Sequence, residues 1–220
     1  MKKHYKPLLP LLENQRVVDQ FGFLPVSIFK PVRSPQWDAI IQDEGEVKGK
    51  RGTDIKYLPN YRYSKFHPHL AEVCIRYWSL EGDWIVDPFA GRSTRGVVAT
   101  TLKRHYLGYE VVPRTYEKLV AQLQVIDPLS KAILGDGCVL SGIPNDYMDM
   151  IFTCPPYHNL ERYESVLGQL SDIKTYEDFL LRIEEASRSM FRVLKPGRFA
   201  VVVVADWRAK GKLVLFHIDL

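Results

Sequence analysis

Cysteine is scarce in this chain. Cys74, Cys138 and Cys154 are the only three in 220 residues, and they stand far apart. An odd, scattered set argues against a disulfide framework and fits a reducing cytoplasm. No Cys-x-x-Cys pair is there to grip zinc, and His67, His69 and His158 lack the carboxylate–histidine spacing that would complete a metal site. Long apolar runs are missing too. The longest candidate, residues 199–205, is strand-length, far below the ~18 residues that a membrane span needs. Behind Met1-Lys2-Lys3-His4 no apolar stretch follows, so a secretory leader is not expected.

What is present is an ordinary globular mixture, 46% apolar and 25% charged. The length suits one domain with a full core. Charge is spread unevenly: residues 1–65 hold 12 Lys/Arg against 7 Asp/Glu, whereas the remainder holds 18 against 19. A basic segment favours a polyanion through counterion release, and an equally simple reading is a solvated basic face. In the same third, Trp37, Tyr57, Tyr61 and Tyr63 lie among Lys48, Lys50, Arg51, Lys56 and Arg62. That interleaving suits stacking and phosphate contacts with nucleic acid. It suits aromatic packing of the segment onto the domain equally well.

Two regions are expected. Residues 1–64, punctuated by prolines, form an irregular basic arm with one short helix near residues 37–42 and a mobile loop over 44–53. Residues 65–220 form the main domain. There the spacing of Leu70, Val73, Cys74, Tyr77 and Trp78 predicts a helix over 69–80, ended by Gly82. Strands are predicted over 84–86, 106–111, 132–134, 148–153 and 199–205. Helices are predicted over 93–103, 113–125 and 176–194, the last closed by Lys195-Pro196-Gly197. Alternation of short buried strands with helices implies an α/β fold, with a mostly parallel sheet covered on both faces. Ligands of such sheets bind beyond the carboxyl ends of the strands.

The strand ends carry the chemistry. The first runs into Asp87-Pro88-Phe89-Ala90-Gly91-Arg92-Ser93-Thr94. Gly91 permits a tight turn, and Ser93 or Thr94 can cap the next helix. The loop is neither Gly-x-Gly-x-x-Gly nor Gly-x-x-x-x-Gly-Lys-Ser/Thr, so a ligand without phosphate is favoured. A capped turn with no ligand reads the same way. The second strand ends at Glu110, an acidic residue about 20 positions on, which suits both hydroxyls of a ribose. Asp136-Gly137 follows the third strand and can face an adenine edge. The fourth ends in Thr153-Cys154-Pro155-Pro156-Tyr157. Its prolines fix φ and remove two N–H donors. Carbonyls beside an aromatic ring suit a planar base that carries an amino group.

Together these residues resemble the amino-methylating DNA methyltransferases, which act on adenine N6 or cytosine N4. Asp87-Pro88-Phe89-Ala90-Gly91 resembles that family's cofactor loop. Thr153-Cys154-Pro155-Pro156-Tyr157 resembles its Asp/Asn/Ser-Pro-Pro-Tyr motif, with Cys154 in the variable place. Phe66-His67-Pro68 resembles the element that meets the methionine end of the cofactor. Residues 154–163 are especially similar to phage and mobile-element DNA methylases. Arg92 stands where small residues are common, and Cys154 is a weaker acceptor than Asp, Asn or Ser.

The resemblance implies a Rossmann-like methyltransferase sheet, with two more strands after Ala205 that this chain holds only in part. It implies S-adenosyl-L-methionine as cofactor. Phe66, His67, Pro68, Asp87, Pro88, Phe89, Ala90, Gly91, Ser93, Thr94, Glu110, Asp136, Gly137 and Thr153 would bind it. Cys154, Pro155, Pro156 and Tyr157 would be catalytic, with no metal. The partner implied is DNA, with the target base flipped onto Tyr157. Adenine N6 is placed ahead of cytosine N4. An RNA guanine-N2 enzyme and a cofactor-binding remnant without turnover stay open, and an oligomer is compatible with the sequence.

Overall fold

The computed structural model describes Trp37 and residues 66–92, 94–158, 164–209 and 211–220. The short helix and loop expected in the arm, the predicted cap Ser93 and the 159–163 stretch lie outside the described residues, Trp37 apart.

Five strands carry the sheet: β1 (Trp84–Asp87), β2 (His105–Glu110), β3 (Lys131–Leu134), β4 (Met148–Thr153) and β5 (Leu194–Val202). All pair in parallel, in the order β3-β2-β1-β4-β5. Around them lie α1 (Pro68–Trp78), α2 (Thr94–Thr101), α3 (Pro113–Ile126) and α4 (Tyr176–Val193). This is the α/β architecture expected from the alternating pattern, in the Rossmann-like form that the resemblance implies.

Strand alternation sorts the core into two layers. Ile85, Met150 and Phe152 face one side, where Ala71 and Ile75 of α1, Val98 and Ala99 of α2, and Leu119 and Leu123 of α3 pack on them. Val86 and Ile151 face the other, against Met190 and Val193 of α4. Helix α4 buries Phe179, Ile183, Ala186, Met190 and Val193, a stripe at alternating spacings of three and four. It starts where Thr175 accepts the Asp178 N–H at 3.1 Å, as a cap should. Pro113 opens α3, where a missing N–H costs nothing.

The structure corrects four boundaries. Helix α1 ends at Trp78, well before Gly82, because both the Ser79 hydroxyl and its N–H return to the Ile75 carbonyl. Helix α2 ends at Thr101, and Lys103 turns the chain at φ 62°. Strand β5 begins at Leu194, directly after α4, so Lys195-Pro196-Gly197 does not separate them. Those residues form a bulge: Met148 pairs with Leu194, but Met150 pairs with Phe199. The strand stops at Val202, opposite Thr153, the end of its partner.

After β5, β6 (Trp207–Ala209) and β7 (Lys212–Val214) pair with each other as an antiparallel hairpin. They do not join the main sheet, which among the described residues ends at β5. A short helix, α5 (Phe216–Asp219), follows. Trp207 and Phe216 turn inward onto Phe179 and Ile183.

Trp37 is 1% exposed and packs in the same layer as Ala71 and Ile75. Its indole N–H donates to Glu72 at 2.6 Å. It is therefore a core residue and not a free stacking platform, which corrects that part of the nucleic-acid surface read from the arm. No helix among the described residues is long and apolar enough to cross a membrane.

Candidate active site

Strand order reverses between β1 and β4, because β2 and β3 lie on one side of β1 and β4 and β5 on the other. Such a switch point leaves a crevice beyond the strand tips. A cleft of about 280 Å³ opens there, just below the ~300–1,000 Å³ range of small-molecule sites.

Most predicted residues converge on it. The loop Pro88, Phe89, Ala90 and Gly91 forms one wall, with Phe66 and His67 nearby. Glu110, Asp136 and Gly137 come from the tips of β2 and β3, and Cys154, Pro155, Pro156 and Tyr157 from the tip of β4. Pro68, Asp87, Thr94 and Thr153 do not face the cleft. Pro68 and Thr94 are buried at the first positions of α1 and α2. These four lie outside the lining of the cleft.

Asp87 shows why. Its carboxylate is fully buried and accepts from four donors: Arg95 Nε at 2.6 Å, Tyr106 Oη at 2.8 Å, Thr153 Oγ1 at 2.6 Å and Phe89 N at 3.1 Å. Those donors come from α2, β2, β4 and the loop, so one side chain ties together the elements that flank the cleft. Burial works against the Arg95 charge, but the Asp87 carboxylate more than offsets it and holds the guanidinium charged. Burial, then Asp87, push the Tyr106 phenol well above its usual range, so it stays a donor.

The loop is pinned from both sides. Ala90 N donates to Tyr109 O at 2.9 Å, and Arg95 Nη2 donates to Phe89 O at 2.6 Å and Ala90 O at 3.3 Å. Gly91 holds φ at 53°, a turn that costs other residues strain. Gly137 is required by proximity: a Cβ there would lie 1.8 Å from the Pro88 carbonyl oxygen. The two turns therefore close on each other only because one lacks a side chain.

Glu110 accepts the Val112 N–H at 2.8 Å. Burial raises its pKa above the ordinary glutamate value, although N–H groups of Val112, Val111 and Gly91 oppose the shift. Asp136 accepts from Cys138 N at 2.9 Å through one oxygen and pairs with Arg182 through the other.

Tyr157 faces the cleft, with its ring braced by Trp207 at 5.4 Å and Phe216 at 6.1 Å between centroids. Beside it His158 Nε2 lies 3.0 Å from the Ile173 carbonyl oxygen.

Sequence reasoning missed Arg95, Tyr106, Trp207 and Phe216. Arg95 left one signal, a cation among Val97, Val98 and Ala99 on a short apolar helix. The other three acquire their roles only through tertiary contact.

Residues 33–121 match the N6/N4 family of DNA methylases. Among curated proteins, the chain is similar to Type II methyltransferase M.Cfr9I of Citrobacter freundii, 30% identical over 93 residues, covering 40% of this chain and 31% of that protein. It is similar also to Type II methyltransferase M.XycI of Xanthomonas campestris pv. cyanopsidis, 29% identical over 85 residues, covering 37% and 28%. The matches thus span about a third of the length of these curated relatives. Among solved structures, TrmN from Thermus thermophilus is 18% identical with a TM-score of 0.48, covering 63% of this chain and 39% of that one. Residues 33–121 are thus similar to the N6/N4 DNA methylases, the amino-methylating family that the loop and Pro-Pro-Tyr turn resemble.

Proposed function

We propose that the chain binds S-adenosyl-L-methionine in the strand-tip cleft and methylates the exocyclic amino group of a DNA base, with adenine N6 the first target to test and cytosine N4 the second. One observation carries the reading: Cys154-Pro155-Pro156-Tyr157 opens onto the same cleft as the Pro88–Gly91 loop and Glu110.

The residues present fit such a cofactor. The cleft joins apolar walls to a few polar groups, the arrangement small-molecule sites use. Glu110 would hold the ribose, Asp136-Gly137 would border the adenine, and Phe66 and His67 would meet the methionine end. When bound, the cofactor supplies a methyl group on positively charged sulfur. The chain's own part is positioning and electrostatics. Tyr157 offers a ring face for the flipped base. The Pro155 carbonyl and the Cys154 sulfur would accept from its amino group and leave the nitrogen lone pair free to take the methyl; the carbon–sulfur bond would break with its electrons on sulfur, and the surplus N–H proton would pass to solvent. No covalent bond to the protein is required.

Glu110 gives a test with a sign. A carboxylate accepts two ribose hydroxyls, and its protonated form does so poorly. Because burial raises this pKa, cofactor affinity should be flat near neutral pH and fall on acidification, starting above the ordinary glutamate value of ~4.3. Glu110→Gln should bind about tenfold or more weakly at neutral pH, the loss of charge-assisted hydrogen bonds, and should lose the acid-side decline. Calorimetry across pH checks this. Full affinity in Glu110→Gln would refute the ribose placement.

Cys154→Ser separates direct transfer from covalent catalysis. Serine is the better acceptor and, at neutral pH, the far poorer nucleophile. Activity should therefore be kept or rise when methyl incorporation from tritiated cofactor is measured on DNA and RNA in parallel. A dead Cys154→Ser that still binds cofactor would contradict direct transfer, and incorporation into RNA alone would contradict the DNA reading.

A further inference from the structure

Resting on the cofactor reading above, we infer that the buried Asp87–Arg95 pair sets the cleft's preference between the sulfonium cofactor and its neutral thioether product, by holding the wall beneath the Pro88–Gly91 loop at zero net charge.

Arg95 borders the cleft, yet its side chain is only 6% exposed. Its guanidinium stacks over the Phe66 ring at 4.9 Å from the centroid and holds the loop through the Phe89 and Ala90 carbonyls. Phe66 and that loop both face the cleft. An arginine cannot shed its proton in a protein, so this positive charge is permanent. Beside it, the cleft would repel a sulfonium cation, while a thioether would feel no net force. Asp87, 2.6 Å away and fully buried, supplies the cancelling charge.

Two opposite consequences follow. Asp87→Asn leaves the Arg95 cation uncompensated, so S-adenosylmethionine should lose affinity relative to S-adenosylhomocysteine. Arg95→Gln leaves the Asp87 anion uncompensated, so the balance should move toward S-adenosylmethionine. A unit charge acting across ~10 Å of a partly buried site changes the ratio about tenfold. The double variant Asp87→Asn/Arg95→Gln restores neutrality and should return the ratio to within about twofold of the parent, since coupled sites cancel in a cycle.

The experiment is calorimetric titration of the full chain and the three variants with each ligand in turn. Opposite shifts in the two single variants, cancelled in the double, support the inference. If Asp87→Asn does not fold, Arg95→Gln and the double variant carry the same comparison. A purely structural role for the pair would weaken both ligands equally, and an unmoved ratio overturns the inference while leaving the cofactor reading intact. Binding of neither ligand by the parent chain overturns both.

Discussion

Tyr157→Ala is expected to lose most or all methyl incorporation while cofactor binding stays close to that of the parent. The ring faces the cleft at the tip of β4, braced from the side by Trp207 and Phe216. That bracing fixes a flat apolar face where a flipped base would arrive. A base–aromatic stack is worth about 1–3 kcal/mol by alanine substitution, roughly tenfold to more than a hundredfold in rate if the contact forms only in the productive complex. Tyr157→Phe keeps the face and should retain much of the activity. The measurement is methyl incorporation into DNA by both variants, with folding confirmed by cofactor titration. Full activity in Tyr157→Ala would remove the ring from the reaction.

Asp87→Ala is expected to fail differently, by losing stability. The substitution strips the acceptor from Arg95, Tyr106, Thr153 and the Phe89 N–H at once. It leaves a buried guanidinium with no carboxylate, a situation that costs about 3–5 kcal/mol. Domains of this size are stable by only about 5–15 kcal/mol. Urea unfolding should show a large fall in midpoint, and cofactor binding should suffer because the Pro88–Gly91 loop loses its anchor. Glu110→Gln, at the edge of the same cleft, should leave the midpoint nearly unchanged. Equal midpoints for Asp87→Ala and the parent would show that the buried network does not organise the site.

Elements whose signals are local were legible in the sequence. Strand β4 has its predicted bounds because an apolar run meets two prolines at its end. Helix α3 starts at Pro113 as expected, and the α4 stripe follows helical spacing. Strand β5 was not legible at its start: Lys195-Pro196-Gly197 reads as a turn, and the structure makes it a bulge inside the strand. The hairpin after β5 is not legible in the sequence, because two three-residue strands carry too short a pattern to be recognised.

The site shows the same division. Position at a strand tip correctly brought Glu110, Gly137 and Tyr157 to one cleft. Position alone does not tell a carboxylate that faces the cleft, as Glu110 does, from one that is fully buried, as Asp87 is. Its partners lie in α2, β2 and β4 and become visible only once those elements are assembled. Trp207 and Phe216 were invisible for the same reason, since an aromatic residue far along the chain gives no sign that it braces Tyr157.

Amino-methylation of a DNA base can be read directly by nucleoside mass spectrometry. DNA and RNA from cells expressing the chain, and from cells expressing its Tyr157→Ala variant, would be digested and their methylated nucleosides compared. N6-methyladenine or N4-methylcytosine is expected in DNA, dependent on Tyr157. Appearance of 5-methylcytosine instead, methylation confined to RNA guanine, or no Tyr157-dependent mark in DNA would contradict it.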